Sequence, residues 1–318
     1  MTAAPIAGPR GPGAAARLWL AGARPRTLGV GAVPVLLGAA ASGHPKALPT
    51  LGALAVAVGL QVGANLANDY FDGRRGVDTA ARVGPRRLTA SGLVRPGEVL
   101  AAGLLCLGVG AAIGLWLALA NGLGWLVLAG AIALAAALLY TGGPRPYAAT
   151  GVVADLAVFA FFGLMATVGS AAVQGSGIPG RAWWAAVAIG LLAVAVLVAN
   201  NLRDLATDRD AGRHTLVVRL GDGRARAFYG ALITAGVLVP TLGVALGELP
   251  LLALVSLLAV PALVGPLRVA GDRQLQGRGL VPLLRLTTRL HLVLGALLAA
   301  ALLTAALLPH AVGMAHLW

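Results

Sequence analysis

Acidic residues are scarce in this chain: eleven Asp and Glu in 318 residues. Three of them fall in one stretch, Asn65-Leu66-Ala67-Asn68-Asp69-Tyr70-Phe71-Asp72-Gly73-Arg74-Arg75-Gly76-Val77-Asp78. It directly follows the apolar run Leu51 to Ala64, which reads as a membrane helix. On a helix, Asn65, Asp69 and Asp72 recur at i, i+4 and i+7 and line one face. A second cluster, Asn200-Asn201-Leu202-Arg203-Asp204-Leu205-Ala206-Thr207-Asp208-Arg209-Asp210, follows the apolar run Ala185 to Ala199. There Asn201, Asp204 and Asp208 share a face at i, i+3 and i+7. Six of the eleven acids thus sit in two similar clusters, each ending an apolar helix. Hard carboxylate oxygens without His or Cys beside them suit Mg²⁺, which is typically held by one or two carboxylates plus substrate phosphates. The simplest guest for two facing clusters is a metal-bound diphosphate.

Asp and Asn at helix ends also cap helices and shape loops. One such cluster could do no more than that; two with matched spacing, on one side of a membrane, favour a functional site. An Asp at the centre of a membrane helix costs about 2.5–3.5 kcal/mol, and converging carboxylates repel one another. Divalent cations, or a lining of arginines, relieve both problems.

The elements that must position these groups are membrane helices. The chain is 58% hydrophobic and only 11% charged, with a mean hydropathy of +0.86. That is a polytopic membrane protein, not a soluble domain. The formal charge of +13 does not point to nucleic acid, because the basic residues are spread between apolar spans. Cys106 is the only cysteine, which excludes a disulfide framework and a cysteine metal site, and the five His are scattered.

Residues 1–16, rich in Gly, Ala and Pro, read as a disordered tail, and 17–318 as one all-α domain of nine transmembrane helices around a central cavity. The spans are expected at roughly 27–42, 48–68, 98–120, 123–141, 151–173, 183–202, 225–246, 249–267 and 290–308. The first is short and carries Pro34. With nine spans, 22 of the 24 Arg and Lys fall on one side, leaving Lys46 and Arg181 on the other. The positive-inside rule then puts the N-terminus and both acidic clusters in the cytoplasm and the C-terminus outside. Gly110 and Gly114 form a small-xxx-small pair, read as close helix packing.

A prenyl diphosphate suits this arrangement. Its tail would lie among the helices and its head at the cytoplasmic rim, where metal and arginine neutralise the leaving group. The allylic C–O bond then breaks, an electron-rich acceptor captures the cation, and apolar walls exclude water. The rival of another class is a cation-coupled transporter using the acids as an ion site.

The chain resembles the UbiA superfamily of intramembrane aromatic prenyltransferases, and within it the 1,4-dihydroxy-2-naphthoate polyprenyltransferases of menaquinone synthesis. Five stretches carry the likeness: Ala23-Arg24-Pro25-Arg26-Thr27-Leu28; Asn65 to Asp78, continuing into Arg82-Val83-Gly84-Pro85; Tyr140-Thr141-Gly142-Gly143-Pro144-Arg145-Pro146-Tyr147; Phe161-Phe162-Gly163; and Ala199 through Asp208 to Leu216 and Arg219-Leu220-Gly221. The resemblance implies Mg²⁺ held by Asp69, Asp72, Asp204 and Asp208, with Asp78 assisting. It also implies that Asn65, Asn68 and Asn201 orient the diphosphate or the metal shell, and that Arg26, Arg82, Arg145 and Arg213 contact phosphate. Tyr140 would face the cation or the acceptor. In the implied reaction the ring carbon bearing the carboxylate attacks the allylic cation, and carbon dioxide and diphosphate leave. Two departures stand out. Val152-Val153-Ala154-Asp155 lies near the place of the family's Gly-Leu-Gly-Glu, so Asp155 would take the Glu's role, and Arg213 stands where Lys is frequent. Within the same fold, 4-hydroxybenzoate, homogentisate, a porphyrin-type ring or a glycerol-phosphate lipid remain alternative acceptors.

Overall fold

The structure, a computed structural model, describes residues 12–76, 87–92 and 94–312. Most of it is helix. In chain order the helices are α1 (Pro12–Ala23), α2 (Pro25–Ala41), α3 (Ala47–Arg74), α4 (Pro96–Ala120), α5 (Gly124–Leu139), α6 (Val153–Val158), α7 (Ala166–Ala172), α8 (Gly180–Arg203), α9 (Leu205–Asp210), α10 (Leu216–Ala245), α11 (Pro261–Gly271) and α12 (Val281–Val312). A π-helical stretch, Phe159–Met165, joins α6 to α7, and a 3-10 segment, Leu251–Ala259, precedes α11. Pro25, Pro96 and Pro261 start helices α2, α4 and α11, where the missing N–H is not needed.

Every apolar segment expected from the sequence is helical. Among the described residues six helical stretches are long and apolar enough to cross a membrane: α3, α4, Val153–Ala172, α8, α10 and Gly277–Leu308. A seventh is the pair Leu251–Ala259 and Pro261–Gly271, bent by 41°. This is an integral, multi-pass membrane protein. The expected count of nine crossings is not met by length. Helices α2 and α5 have 17 and 16 residues, about 24–26 Å at 1.5 Å per residue, against a hydrocarbon core of about 30 Å.

Packing follows the small residues. A Cβ on Gly63 would stand 2.6 Å from the Leu107 side chain, and one on Gly103 would stand 3.2 Å from the Ala67 nitrogen, so α3 and α4 meet backbone to backbone. Gly110 belongs to this seam: its Cβ would lie 3.4 Å from the Leu60 nitrogen, as the packing reading expected. Another close approach lies between the π-helical stretch and α8, where a Cβ on Gly163 would sit 2.6 Å from the Cα of Gly190. Gly163→Ala is therefore expected to cost about 1–3 kcal/mol by overpacking, read as a lower midpoint of thermal unfolding in detergent. An unchanged midpoint would show that the helices can part freely.

The largest core cluster joins α8, α10 and α12 through residues such as Leu192, Val198, Tyr229, Ile233, Leu290 and Leu294. The Tyr229 and Thr287 hydroxyls hydrogen-bond at 2.6 Å inside it. At the end of α10 nearest the second acidic cluster, the buried Arg226 guanidinium donates to Asp222 and to the carbonyls of Ala270, Asp272 and Leu275, which fastens the turn after α11. Helix α5 differs from these helices. It has no buried residue, and Leu128, Ile132 and Leu139 on it are exposed. Gly130, Leu134 and Ala137 of the same helix line an internal cavity. Thus α5 is a wall one helix thick between that cavity and lipid.

Candidate active site

The last turns of α3 are the hub. Six polar residues there, Gln61, Asn65, Asn68, Asp69, Asp72 and Arg75, have partners on other segments. The Gln61 amide donates to the Thr27 carbonyl at 2.8 Å and the Asn65 amide to the Ala23 carbonyl at 3.2 Å. These bonds hold the break between α1 and α2. There Arg24, just before Pro25, has φ of 56°, the only positive φ at a non-glycine residue among the described residues. A residue before proline is barred from the right-handed helical region, and the left-handed one costs strain, so the break is a built feature.

Asn68 accepts from the Thr141 hydroxyl at 2.7 Å. Asp69 is buried and accepts from the backbone N–H groups of Leu88 and Thr89, both at 2.9 Å. Asp72, also buried, faces the Arg87 guanidinium at 3.4 Å. Arg75 donates to the carbonyls of Thr141 and Gly143. The first cluster thereby fixes the turn after α5, including Tyr140 and Tyr147, whose rings meet edge to face at 5.3 Å. The Tyr147 hydroxyl donates to the Ala136 carbonyl at 2.9 Å, and burial pushes its pKa up to about 12, so it remains a neutral donor.

The second cluster is placed by the end of α8. Asp204 sits at the junction of α8 and α9 and is held by the Arg203 guanidinium, whose Nε lies 2.7 Å away. Asp208 on α9 pairs with Arg213 at 3.2 Å. Immediately after Arg213, His214–Thr215 forms a two-residue parallel bridge with Thr150–Gly151 (β1, Thr150–Gly151; β2, His214–Thr215). That bridge ties the second cluster to the segment after α5. The Tyr140 hydroxyl is the meeting point: it lies within electrostatic reach of Arg213, Asp155, Asp72 and Arg24. Charges from both clusters therefore bear on one phenol. Asp155 itself is buried, and neither of its oxygens has a hydrogen-bond partner among the described residues.

A cavity of about 620 Å³ opens beneath Tyr140. Its polar end carries Arg24, Asn65, Asn68, Tyr140, Tyr147 and Asn200, and its body is apolar, with Phe161, Phe162 and the inner face of α5. On α3 the lining runs from Ala53 to Asn68, about 22 Å along the helix axis. The shape is a long apolar channel capped by amides and charges.

The expected residues are sorted by this geometry. Asn65, Asn68 and Tyr140 line the cavity, while Asp72, Asp155 and Arg213 are not in its lining and act on Tyr140 electrostatically. Asn201 does not line it; Asn200, one residue earlier, does. Each residue turns a helix by about 100°, and the Asn200-Asn201 doublet left that register open. Arg145 is exposed and has no place in the lining. Asp78, Arg82 and the Arg26 side chain lie outside the described residues. Among the described residues no three acidic, His or Cys side chains converge closely enough to hold a metal unaided. Instead Asp72, Asp204 and Asp208 each face an arginine. Sequence reasoning missed Gln61, counted Arg87 only as a topology charge, and gave no site role to Arg24, which it placed among the topology charges and in the motif stretch Ala23 to Leu28. Its one usable signal was an Arg-Pro pair at a helix break.

Comparison with known proteins places the chain in a family. The profile of the UbiA prenyltransferase family matches residues 31–278. The chain is 46% identical over 291 residues to a 1,4-dihydroxy-2-naphthoate octaprenyltransferase of Mycobacterium tuberculosis, covering 89% of this chain and 96% of that one. It is 37% identical over 256 residues to the Escherichia coli protein of the same name, covering 78% and 79%. Among solved structures, a UbiA homolog from Archaeoglobus fulgidus bound to DMAPP and Mg²⁺ superposes with a TM-score of 0.65 at 15% identity, covering 88% of this chain and 98% of that one. A UbiA homolog from Aeropyrum pernix gives 0.65 at 20% identity, covering 87% and 97%. The chain belongs to the UbiA prenyltransferase family.

Proposed function

We propose that this chain transfers a polyprenyl group from an allylic diphosphate to 1,4-dihydroxy-2-naphthoate, with loss of carbon dioxide and diphosphate, at a site facing the cytoplasm. The observation that carries the reading is the polar end of the cavity. There Asn65 and Asn68 of one cluster and Asn200 of the other line one cavity with Tyr140, above an apolar channel. The curated relatives bear the name of this activity. The cytoplasmic orientation rests on the distribution of Arg and Lys.

The donor set fits Mg²⁺. Asp72 and Asp208 offer hard carboxylate oxygens with no nitrogen or sulfur ligand in their clusters. Fewer than three converging acids is the usual protein share of a Mg²⁺ shell, the rest coming from phosphate and water. Asp72 and Asp208 would hold the metal, with Asp78 and Asp204 as further oxygen donors. A homologous structure was solved with DMAPP and Mg²⁺. Bound there, Mg²⁺ would supply positive charge to offset that on the departing diphosphate.

The chain's own groups do the rest. Arg213 and Arg87, now paired with Asp208 and Asp72, are placed to bind diphosphate oxygens. Asn68, which lines the cavity, would add an amide donor to the same oxygens. The allylic C–O bond breaks and its electron pair leaves with diphosphate. The electron-rich Tyr140 ring stands beside the cation, and the apolar walls keep water from it. The acceptor carbon bearing the carboxylate forms the new C–C bond. The carboxylate then departs as carbon dioxide, returning its electron pair to the ring. Asp155 would orient an acceptor hydroxyl.

Purified protein given an allylic diphosphate, Mg²⁺ and candidate acceptors tests the reading by product mass. Naphthoate should yield a prenylated product lighter by one carbon dioxide. Prenylated 4-hydroxybenzoate with its carboxylate retained, and no naphthoate product, would overturn it.

A further inference from the structure

We infer that Asp69 is a positioning residue, which clasps the turn at 87–89 and thereby sets the Arg87 guanidinium against Asp72. This rests on the reading of the site just given. Spacing along α3 treats Asp69 and Asp72 alike, but their surroundings differ. Asp69 is 2% exposed, and each of its two oxygens takes a backbone N–H, from Leu88 and from Thr89, at 2.9 Å. A carboxylate accepting two amides is an anchor for backbone. Leu88 is buried against Leu66 and Val99, so the anchored turn is packed as well as bonded. A Cβ on Gly73 would stand 2.7 Å from the Thr89 side chain, so the turn lies directly on α3. One residue before the clasp, Arg87 is 8% exposed and reaches Asp72. The chain is thus fixed at Leu88 and Thr89 by one acid and delivers a cation to the next acid, one turn further along the same helix.

Ligand and clasp predict different losses. A lost ligand raises the Mg²⁺ requirement. A lost clasp frees Arg87 and weakens the hold on the diphosphate while leaving the metal requirement alone. The test uses the full chain in nanodiscs. Amide hydrogen exchange, without metal or substrate, should show Leu88 and Thr89 protected in the wild type and exposed in Asp69→Asn, with the apolar part of α3 unchanged. In turnover, Asp69→Asn should raise the KM for the allylic diphosphate on the order of tenfold, with the half-activating Mg²⁺ concentration unchanged. Arg87→Gln should reproduce that change, and the double variant should add little to either. Asp69→Asn raising the Mg²⁺ requirement as Asp72→Asn does would overturn the inference, as would unprotected amides in the wild type. If Asp69→Asn does not fold, Arg87→Gln decides: an unchanged KM refutes the positioning role. Were Asp72→Asn itself to leave the Mg²⁺ requirement unaltered, the fault would lie in the reading of the site and not in the clasp.

Discussion

Asp72→Asn and Asp208→Asn are each expected to lower turnover by roughly a thousandfold or more while the protein remains folded. Stabilising charge on a departing diphosphate through a bound metal is worth several kcal/mol, and each 1.36 kcal/mol is about tenfold in rate. Both residues are buried and both face an arginine. The Asn replacements keep volume, remove the charge and leave one acceptor oxygen in place of two. The two acids lie on helices far apart in sequence, so similar losses in both would show that one site needs both clusters. The measurement is pyrophosphate release, with thermal unfolding in detergent as the folding control. Near wild-type release from either variant would remove that acid from the site.

Gly130→Phe is expected to discriminate by tail length. Gly130 lines the cavity, and a Cβ built there meets nothing within 4 Å. It lies ten residues before Tyr140, about 15 Å down α5. A phenyl ring at that depth should displace the far part of a long tail and spare a geranyl tail. Excluding three or four methylenes at about 0.8 kcal/mol each costs about 3 kcal/mol, or roughly two orders of magnitude in kcat/KM. Geranyl diphosphate should be used nearly as before. Equal losses for short and long donors would mean that the tail runs elsewhere.

Much of the fold was legible because membrane helices announce themselves by length and composition. All nine apolar segments are helical, and Gly110 sits in a helix seam as its spacing suggested. The count of crossings was less secure, since α2 and α5 are too short for length alone to decide. The two acidic clusters were legible as well, because acids are costly at a membrane and rare here. What was hidden depends on partners distant in the chain. Asp69 has the spacing of a ligand, yet its partners are backbone amides 19 and 20 residues on. Asn200 and Asn201 differ by one step of helix rotation, which no local pattern fixes. The bridge between Thr150–Gly151 and His214–Thr215 joins two loops that share no motif. Nothing in an arginine-rich sequence singles out Arg87 from its many neighbours.

Binding, separated from turnover, tests the shared site most directly. Titrate an unreactive allylic diphosphate analogue, with Mg²⁺, into the full chain in nanodiscs: wild type, Asp72→Asn, Asp208→Asn and the double variant. A single diphosphate gripped by both clusters predicts that each substitution alone weakens affinity strongly and that the double variant is little worse than either. Affinity kept in one variant, or losses that simply add, would mean that the two clusters do not hold the same ligand.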